Sequence, residues 1–289
     1  MPAVEPRLPS PGASVDGGAR LRFARRAGTG TVLAAQTVRP PLHLAKTFHE
    51  NDWAVSLLTS PTAGLLEGDR IRLDCRVGEG ARAAVLSPAA CRVHAMGKGT
   101  AVVEQDIAVD ASGCLDLWPA PLILQSGAAL RQETSVRLAA SASLLLTEIV
   151  MPGRVARGEA FQFSEWRSRL RIHREDALCA FEQFRLRPGD GDAPDWRAVA
   201  PESSYASLHA FAPGLETPQP LVEALHALAD GKGLRLGASP LRGNGLGIKL
   251  LAADGIILRQ AILAVRLLLH ERAGFCFPHI LRRGQTFFY

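Results

Sequence analysis

Aromatic residues are scarce in this chain, at 6%, and no apolar run is long enough to cross a bilayer. The most hydrophobic stretch, Ile256 to Leu269, is broken by Arg259, Gln260 and Arg266. Five cysteines, an odd number with no CxxC pair, argue against a disulfide framework or a four-thiolate zinc centre and fit reduced thiols in a cytosol. The eight histidines are dispersed, with neither HExxH nor HxH, so no tight metal site is expected. A GxSxG elbow is missing as well. Lysine is rare. The formal charge of +5 comes mainly from arginines spread along the chain, which fits a mildly basic surface better than a nucleic-acid tract. Residues 1–19, rich in Pro, Gly and Ser, lack the apolar core of a secretory signal and read as a disordered tail.

The remainder, at 47% apolar and 21% charged residues, has the composition of a globular protein with a sizeable core. From Leu21 to about Leu186 the dominant period is two. In "RIRLDCRV", Ile71, Leu73, Cys75 and Val77 fall on one face and Arg70, Arg72, Asp74 and Arg76 on the other, a half-buried strand. Three stretches, "IRLDCRVGEGARAAVLS", "IAVDASGCLDLWP" and "VRLAASASLLLTEIV", each read as an alternating strand, a small-residue turn and a more apolar strand. They recur roughly every 30 to 36 residues, which suggests stacked strand pairs. The expected fold is mainly β, layered and stacked from antiparallel and mixed strands, with a few helices, two of them toward the C-terminus. One domain is expected over 20–289, with a long loop or boundary near 188–204. "PLVEALHALADG" has helical spacing with Gly231 as its stop. A strand from Gly247 to Leu251 leads to a last helix over about 254–272, so apolar around its circumference that it is either wedged into a core or covered by a partner.

Two glycine-rich fragments tempt as phosphate loops. "GKGT" (97–100) lacks the earlier glycine and the strand-to-helix context and reads as a hairpin turn. "GNGLG" (243–247) opens a strand and not a helix. On a strand, Arg167, Arg169, Arg171 and His173 share one face, either solvated or able to meet phosphate or an acidic protein. Glu148 interrupts an apolar run, and a carboxylate there must be paired, hydrated or used. Two readings stay open: a structural pair with Arg154, or a polar passage through the β core lined by Glu148, Glu159 and the acids of "TSPTAGLLEGDRIRL".

The segments "PLHLAKTF", "LTSPTAGLLEGDRIRL", "ARAAVLSPAACRVHAM", "LDLWPAPLILQSGA", "LLLTEIVMPGRVARGEAF" and "GIKLLAADGIILRQAILAVRLLL" occur here in one order. Through them the chain, from about Leu21 to His279, resembles the urease accessory protein family UreD, called UreH in some organisms. It departs from the family at Ala63-Gly64, where a double glycine is usual. It departs again at Leu86 to Cys91, at Arg92 and His94, and in lacking the proline-arginine-x-tryptophan ending.

The resemblance implies a β-rich cytoplasmic protein that is not an enzyme and has no resident cofactor. It implies a scaffold that holds apo-urease and, through UreF, recruits the GTPase UreG so that transient Ni2+ reaches the urease active site, with an internal water-filled route for the ion. Glu67, Asp69, Glu148 and Glu159 are then the candidate nickel-channel acids. Gly64, Gly68, Gly153, Arg154 and Gly158 are the structural motif residues, and Ile257 and Leu268 represent a partner interface on the last helix. Neither nucleic acid nor membrane is expected as a partner. The rival from another class is a β-rich hydrolase or isomerase using Glu148 and Glu159 as acid and base.

Overall fold

Period-two alternation, with β-branched and aliphatic residues at every second position, builds strand after strand. The computed structural model describes residues 14–188, 204–229, 233–275 and 277–278. In chain order its strands are β1 (Asp16–Arg26), β2 (Gly30–Arg39), β3 (His43–Leu44), β4 (Phe48–Glu50), β5 (Trp53–Thr59), β6 (Arg70–Val77), β7 (Arg82–Leu86), β8 (Cys91–Val93), β9 (Ala101–Val109) and β10 (Cys114–Trp118). They continue with β11 (Leu122–Leu124), β12 (Ala129–Leu138), β13 (Ser143–Met151), β14 (Gly153–Arg154), β15 (Glu159–Ala160), β16 (Glu165–Arg174), β17 (Ala177–Leu186), β18 (Ser204–Phe211), β19 (Leu234–Leu241) and β20 (Gly245–Ala252). Two α-helices, α1 (Gln219–His226) and α2 (Gly255–Arg272), lie toward the C-terminus.

A 7-stranded sheet, in the order β17-β16-β12-β9-β6-β1-β2, faces an 11-stranded sheet whose main path runs β19-β20-β18-β13-β10-β7-β5-β3. The three look-alike stretches explain how. Each sends its first strand (β6, β9, β12) to the smaller sheet and its second (β7, β10, β13) to the larger. Successive units then stack parallel. Cys75, Ile107, Val136 and Ile172 stand side by side in register across β6, β9, β12 and β16. The small-residue turns therefore cross from sheet to sheet, and the body is a stack of strand pairs as the recurrence predicts, flanked by antiparallel strands at its ends.

The tail expected over 1–19 stops short of β1, which begins at Asp16 and pairs with β6 from Arg70 onward. Its segment 1–13, residues 189–203 of the boundary expected near 188–204, and the helix stop at Gly231 lie outside the described residues. The 97–100 loop is not a hairpin turn, because β8 and β9 on either side of it belong to different sheets.

Apolar packing fills two spaces. Ala206, Leu208, Ile248 and Leu250 of the larger sheet meet Leu221, Val222 and Leu225 of α1 and Leu258, Ile262, Val265 and Leu269 of α2. Asp254 caps α2, its Oδ1 accepting from the Ile257 amide at 2.8 Å. The core reading of this helix therefore holds for most of its surface. Between the two sheets the core splits into two clusters, one around Leu73, Ile107, Val136 and Leu146, the other around Leu65, Leu130, Val150 and Trp166.

Candidate functional site

What separates those two clusters is a transverse belt of polar side chains. On β12, Leu130 belongs to one cluster and Val136 to the other, and Gln132 and Thr134 lie between them. On β13 the corresponding gap between Leu146 and Val150 is filled by Glu148. Strand register extends the belt sideways, since Glu148 is opposite Ser207 of β18 and Ser207 is opposite Lys249 of β20. On the facing sheet, Gln105, Thr134, Leu170 and Glu182 occupy one row across β9, β12, β16 and β17.

The belt holds two hydrogen-bonded groups. Gln132 Nε2 donates to Glu148 Oε1 at 2.6 Å, and the Thr134 hydroxyl reaches the same oxygen at 3.4 Å. Lys249 Nζ donates to Ser207 Oγ at 2.6 Å and to Glu182 Oε2. His209 Nε2 stands 3.0 Å from Glu182 Oε1, and its Nδ1 faces Ser207 Oγ at 3.5 Å. Gln105 Oε1 and Gln132 Oε1, both buried, have no hydrogen-bond partner among the described residues. Two such oxygens aimed into one layer mark a place where a polar guest lowers the energy.

Near Gln105, Gln132 and Glu148 the layer opens into a cavity of about 120 Å³, walled mainly by apolar side chains such as Leu65, Ile71 and Val85 and lined also by Ser60, Ser87 and Cys91. That is room for a few waters at ~30 Å³ each. At the other end Glu182 and Lys249 reach solvent, with side chains 31% and 38% exposed.

Protonation follows from burial. Desolvation pushes the Glu148 carboxyl up to about 7, against the pull of Lys249. Burial also raises Glu182, but His209 and Lys249 outweigh it and bring that carboxyl down to about 2. His209 is shifted down by its burial, which favours the neutral imidazole. Desolvation raises the Cys91 thiol to about 11, so it is a poor thiolate donor.

Of the four acids named from the sequence, Glu148 lines the cavity, while Glu67, Asp69 and Glu159 are held elsewhere. Glu67 accepts the amides of Gly97, Lys98 and Gly99 at 2.8, 3.1 and 2.6 Å, and these bonds hold its carboxyl below the usual range. Asp69 is buried and accepts from the Val15 and Leu66 amides at 2.9 and 2.8 Å. Glu159 pairs with Arg154, whose Nε donates to Oε2 at 2.7 Å, so the pair expected between Glu148 and Arg154 is not formed. Gly64 and Gly153 are required where they stand. A Cβ at Gly64 would lie 2.2 Å from the Arg92 carbonyl oxygen, and one at Gly153 would lie 1.8 Å from that of Glu159. Gly68 and Gly158 occupy turns with φ of 82° and 72°.

On α2, Ile257 and Leu268 pack against the core as partly buried residues. The exposed apolar side chains of that helix are instead Ile256, at 71%, and Leu267, at 50%. On the arginine face of β16, Arg167 Nε reaches the Glu165 carboxylate at 2.9 Å, which Arg185 and Arg187 also reach, while Arg169 Nε donates to Gln183 Oε1 at 3.1 Å and Arg171 lies over the Phe181 ring. Among the described residues no three His, Cys, Asp or Glu side chains stand close enough to hold a metal ion.

Glu182, His209 and Lys249 escaped the sequence reading although the signal that exposed Glu148 was available for two of them. His209 in "SYASLHAF" and Lys249 in "GLGIKLLA" are likewise lone basic residues in their strands. Glu182 stands beside Gln183 and near Arg185 in a half-exposed edge strand and gave no such sign.

The family described as UreD urease accessory protein matches residues 15–280. A urease accessory protein UreD of Opitutus terrae is 36% identical over 261 residues, covering 87% of this chain and 93% of that protein. One from Haloarcula marismortui is 33% identical over 81% of this chain and 78% of its own length. The protein of Helicobacter hepaticus named urease accessory protein UreH is 30% identical over 58% of this chain and 67% of its own. With the match spanning both sheets and the helical layer, this chain belongs to the UreD urease accessory protein family.

Proposed function

We propose that this chain is a cytoplasmic urease maturation factor. It binds apo-urease and, with UreF and UreG, delivers nickel to the urease active site, the ion passing along the belt between the two sheets. The observation that carries the reading is the belt itself. A β-sandwich gains nothing in stability by dividing its core with Gln105, Gln132, Glu148, Glu182 and His209, because buried polar groups at best break even. A passage for a hydrated cation requires such a layer. Glu148, ionisable near neutral pH, offers an oxygen donor able to bind weakly and release, as a transit route demands.

The acid–base rival finds less support. Glu159 is engaged with Arg154 and does not line the cavity that holds Glu148, so the two acids this reading needs are not brought together. No described helix is long and apolar enough to cross a membrane.

The test is to co-express apo-urease, UreF and UreG with and without this chain, supply nickel, and measure urease activity and bound nickel. Activation that requires the chain, and falls when Glu148 is replaced by Gln with the complex still assembled, is the expected result. Equal activation without the chain would remove the proposal.

A further inference from the structure

At the solvent end of the belt three side chains form a unit that holds a cation already: Lys249, Glu182 and His209. The ammonium donates to Glu182 Oε2 and Ser207 Oγ, while Glu182 Oε1 and His209 Nε2 face each other at 3.0 Å. That separation is the length of the hydrogen bond the two groups make, and it also suits coordination. Two donors each ~2.1 Å from one metal ion and at right angles to each other stand ~3.0 Å apart. An imidazole nitrogen beside a carboxylate oxygen is a donor set suited to Ni2+ and its first-row neighbours.

We propose that Glu182 and His209 form a station for a divalent cation and that Lys249 is the tethered cation that keeps it closed. The proposal rests on the belt being an ion route. The arriving ion displaces the ammonium, which stays protonated and swings on its four-carbon stem to the solvent that already reaches it, the side chain being 38% exposed. The ion then takes the Glu182 carboxylate and His209 Nε2. His209 shifts its ring proton to Nδ1, with no net release, and Ser207 Oγ, relieved of the ammonium, accepts it from 3.5 Å away. Glu148, set beyond Ser207 in the strand register, is the next oxygen donor inward.

The device discriminates by charge. Sodium and potassium bring no more charge than the ammonium and have little affinity for imidazole, so they cannot displace a tethered competitor. A divalent ion of the nickel kind has both advantages. Lys249 thus sets specificity as well as access.

The experiment measures metal binding by the full-length chain, using Co2+ for its visible absorption and Ni2+ by calorimetry, each added alone. Lys249→Met is expected to bind either ion about tenfold more tightly than the unsubstituted chain, with a Co2+ spectrum showing nitrogen ligation. The gain should vanish in Lys249→Met/His209→Gln and in Lys249→Met/Glu182→Gln. Lys249→Arg, which keeps the charge, should show none. Lys249→Gln keeps a donor for Glu182 and Ser207 and carries the same expectation should the methionine variant fail to fold. Unchanged affinity in both neutral variants, or a gain that survives loss of His209, overturns the proposal and leaves Lys249 a structural counter-ion. The outcome is separable from the maturation role. Dependence of urease activation on the chain without any gain in Lys249→Met would sink the station alone, and a gain without that dependence would sink the maturation role alone.

Discussion

Arg266 of α2 and Asp116 of β10 meet in a buried ion pair, Nη1 donating to Oδ1 at 3.1 Å with side chains only 4% and 0% exposed. The guanidinium lies between the rings of Trp118 and Phe277, at 4.7 and 4.6 Å from their centroids. One bond thus ties the helical layer, the larger sheet and the segment after α2 together. Removing either partner leaves a buried charge uncompensated and should cost about 3–5 kcal/mol. Urea denaturation of Asp116→Ala and Arg266→Ala is the measurement. The double apolar replacement Asp116→Leu/Arg266→Met should be milder than either. Single variants no less stable than the double would show that the pair is dispensable.

Glu148 gives the chain a pH dependence of a definite sign. Burial raises its carboxyl from 4.5 to about 7, so the native state keeps the proton where the unfolded chain has lost it. Its contribution to stability is full below pH 4.5 and is lost as pH rises through about 7. Glu182 acts in the opposite sense, its carboxyl lowered to about 2, and its contribution is lost only as pH falls toward that value. Glu148→Gln should therefore flatten the decline of melting temperature between pH 4.5 and 7 and leave the acid limb in place. An unchanged slope would mean that Glu148 is not desolvated in solution.

The two acids of "TSPTAGLLEGDRIRL", Glu67 and Asp69, hold chain segments together. The three amide bonds of Glu67 pin the 97–99 segment across the end of the smaller sheet, while Asp69 closes the turn from within. Glutamine offers one acceptor oxygen where the carboxylate offers two. Glu67→Gln should therefore loosen the loop and speed tryptic cleavage after Lys98, which is exposed. The Co2+ affinity of the chain should not change. Intact loop protection with altered metal binding would return Glu67 to the ion route.

How far the chain could be read in advance depended on the range of the interaction. Alternation along β6 or β16 is local, so strands and their buried faces were legible, and the recurrence of β6–β7, β9–β10 and β12–β13 gave the stacking. Register is not local. Nothing in "SYASLHAF" or "GIKLL" says that Ser207 and Lys249 will be neighbours, and β18 and β20 come together across the intervening α1 and β19. Glu148 was legible because a carboxylate in an apolar run needs a reason. Its partners were not, because Gln132 and Thr134 look like ordinary polar residues until the facing sheet makes their side of the strand an interior.

The last helix shows the same limit on a scale of one residue, and it yields a test of the partner surface. Its composition is apolar on all sides, so periodicity could not choose between Ile256 and Ile257, or between Leu267 and Leu268. The packing does choose. Ile257 and Leu268 lean on the cluster shared with the larger sheet, whereas Ile256 and Leu267 stand exposed at 71% and 50%. Ile257→Asp and Leu268→Asp should lower stability, by about 1–3 kcal/mol each for a charge forced against a packed apolar surface. Ile256→Asp and Leu267→Asp should leave the melting temperature within about 2 °C of the original, as surface changes do. Co-purification with UreF and with apo-urease then reads the surface cleanly in the second pair. Loss of either partner from a folded Ile256→Asp/Leu267→Asp variant would assign the outer stripe of α2 to that contact. Retention of both would place the docking surface elsewhere, with the arginine face of β16 and β17 the next to be substituted.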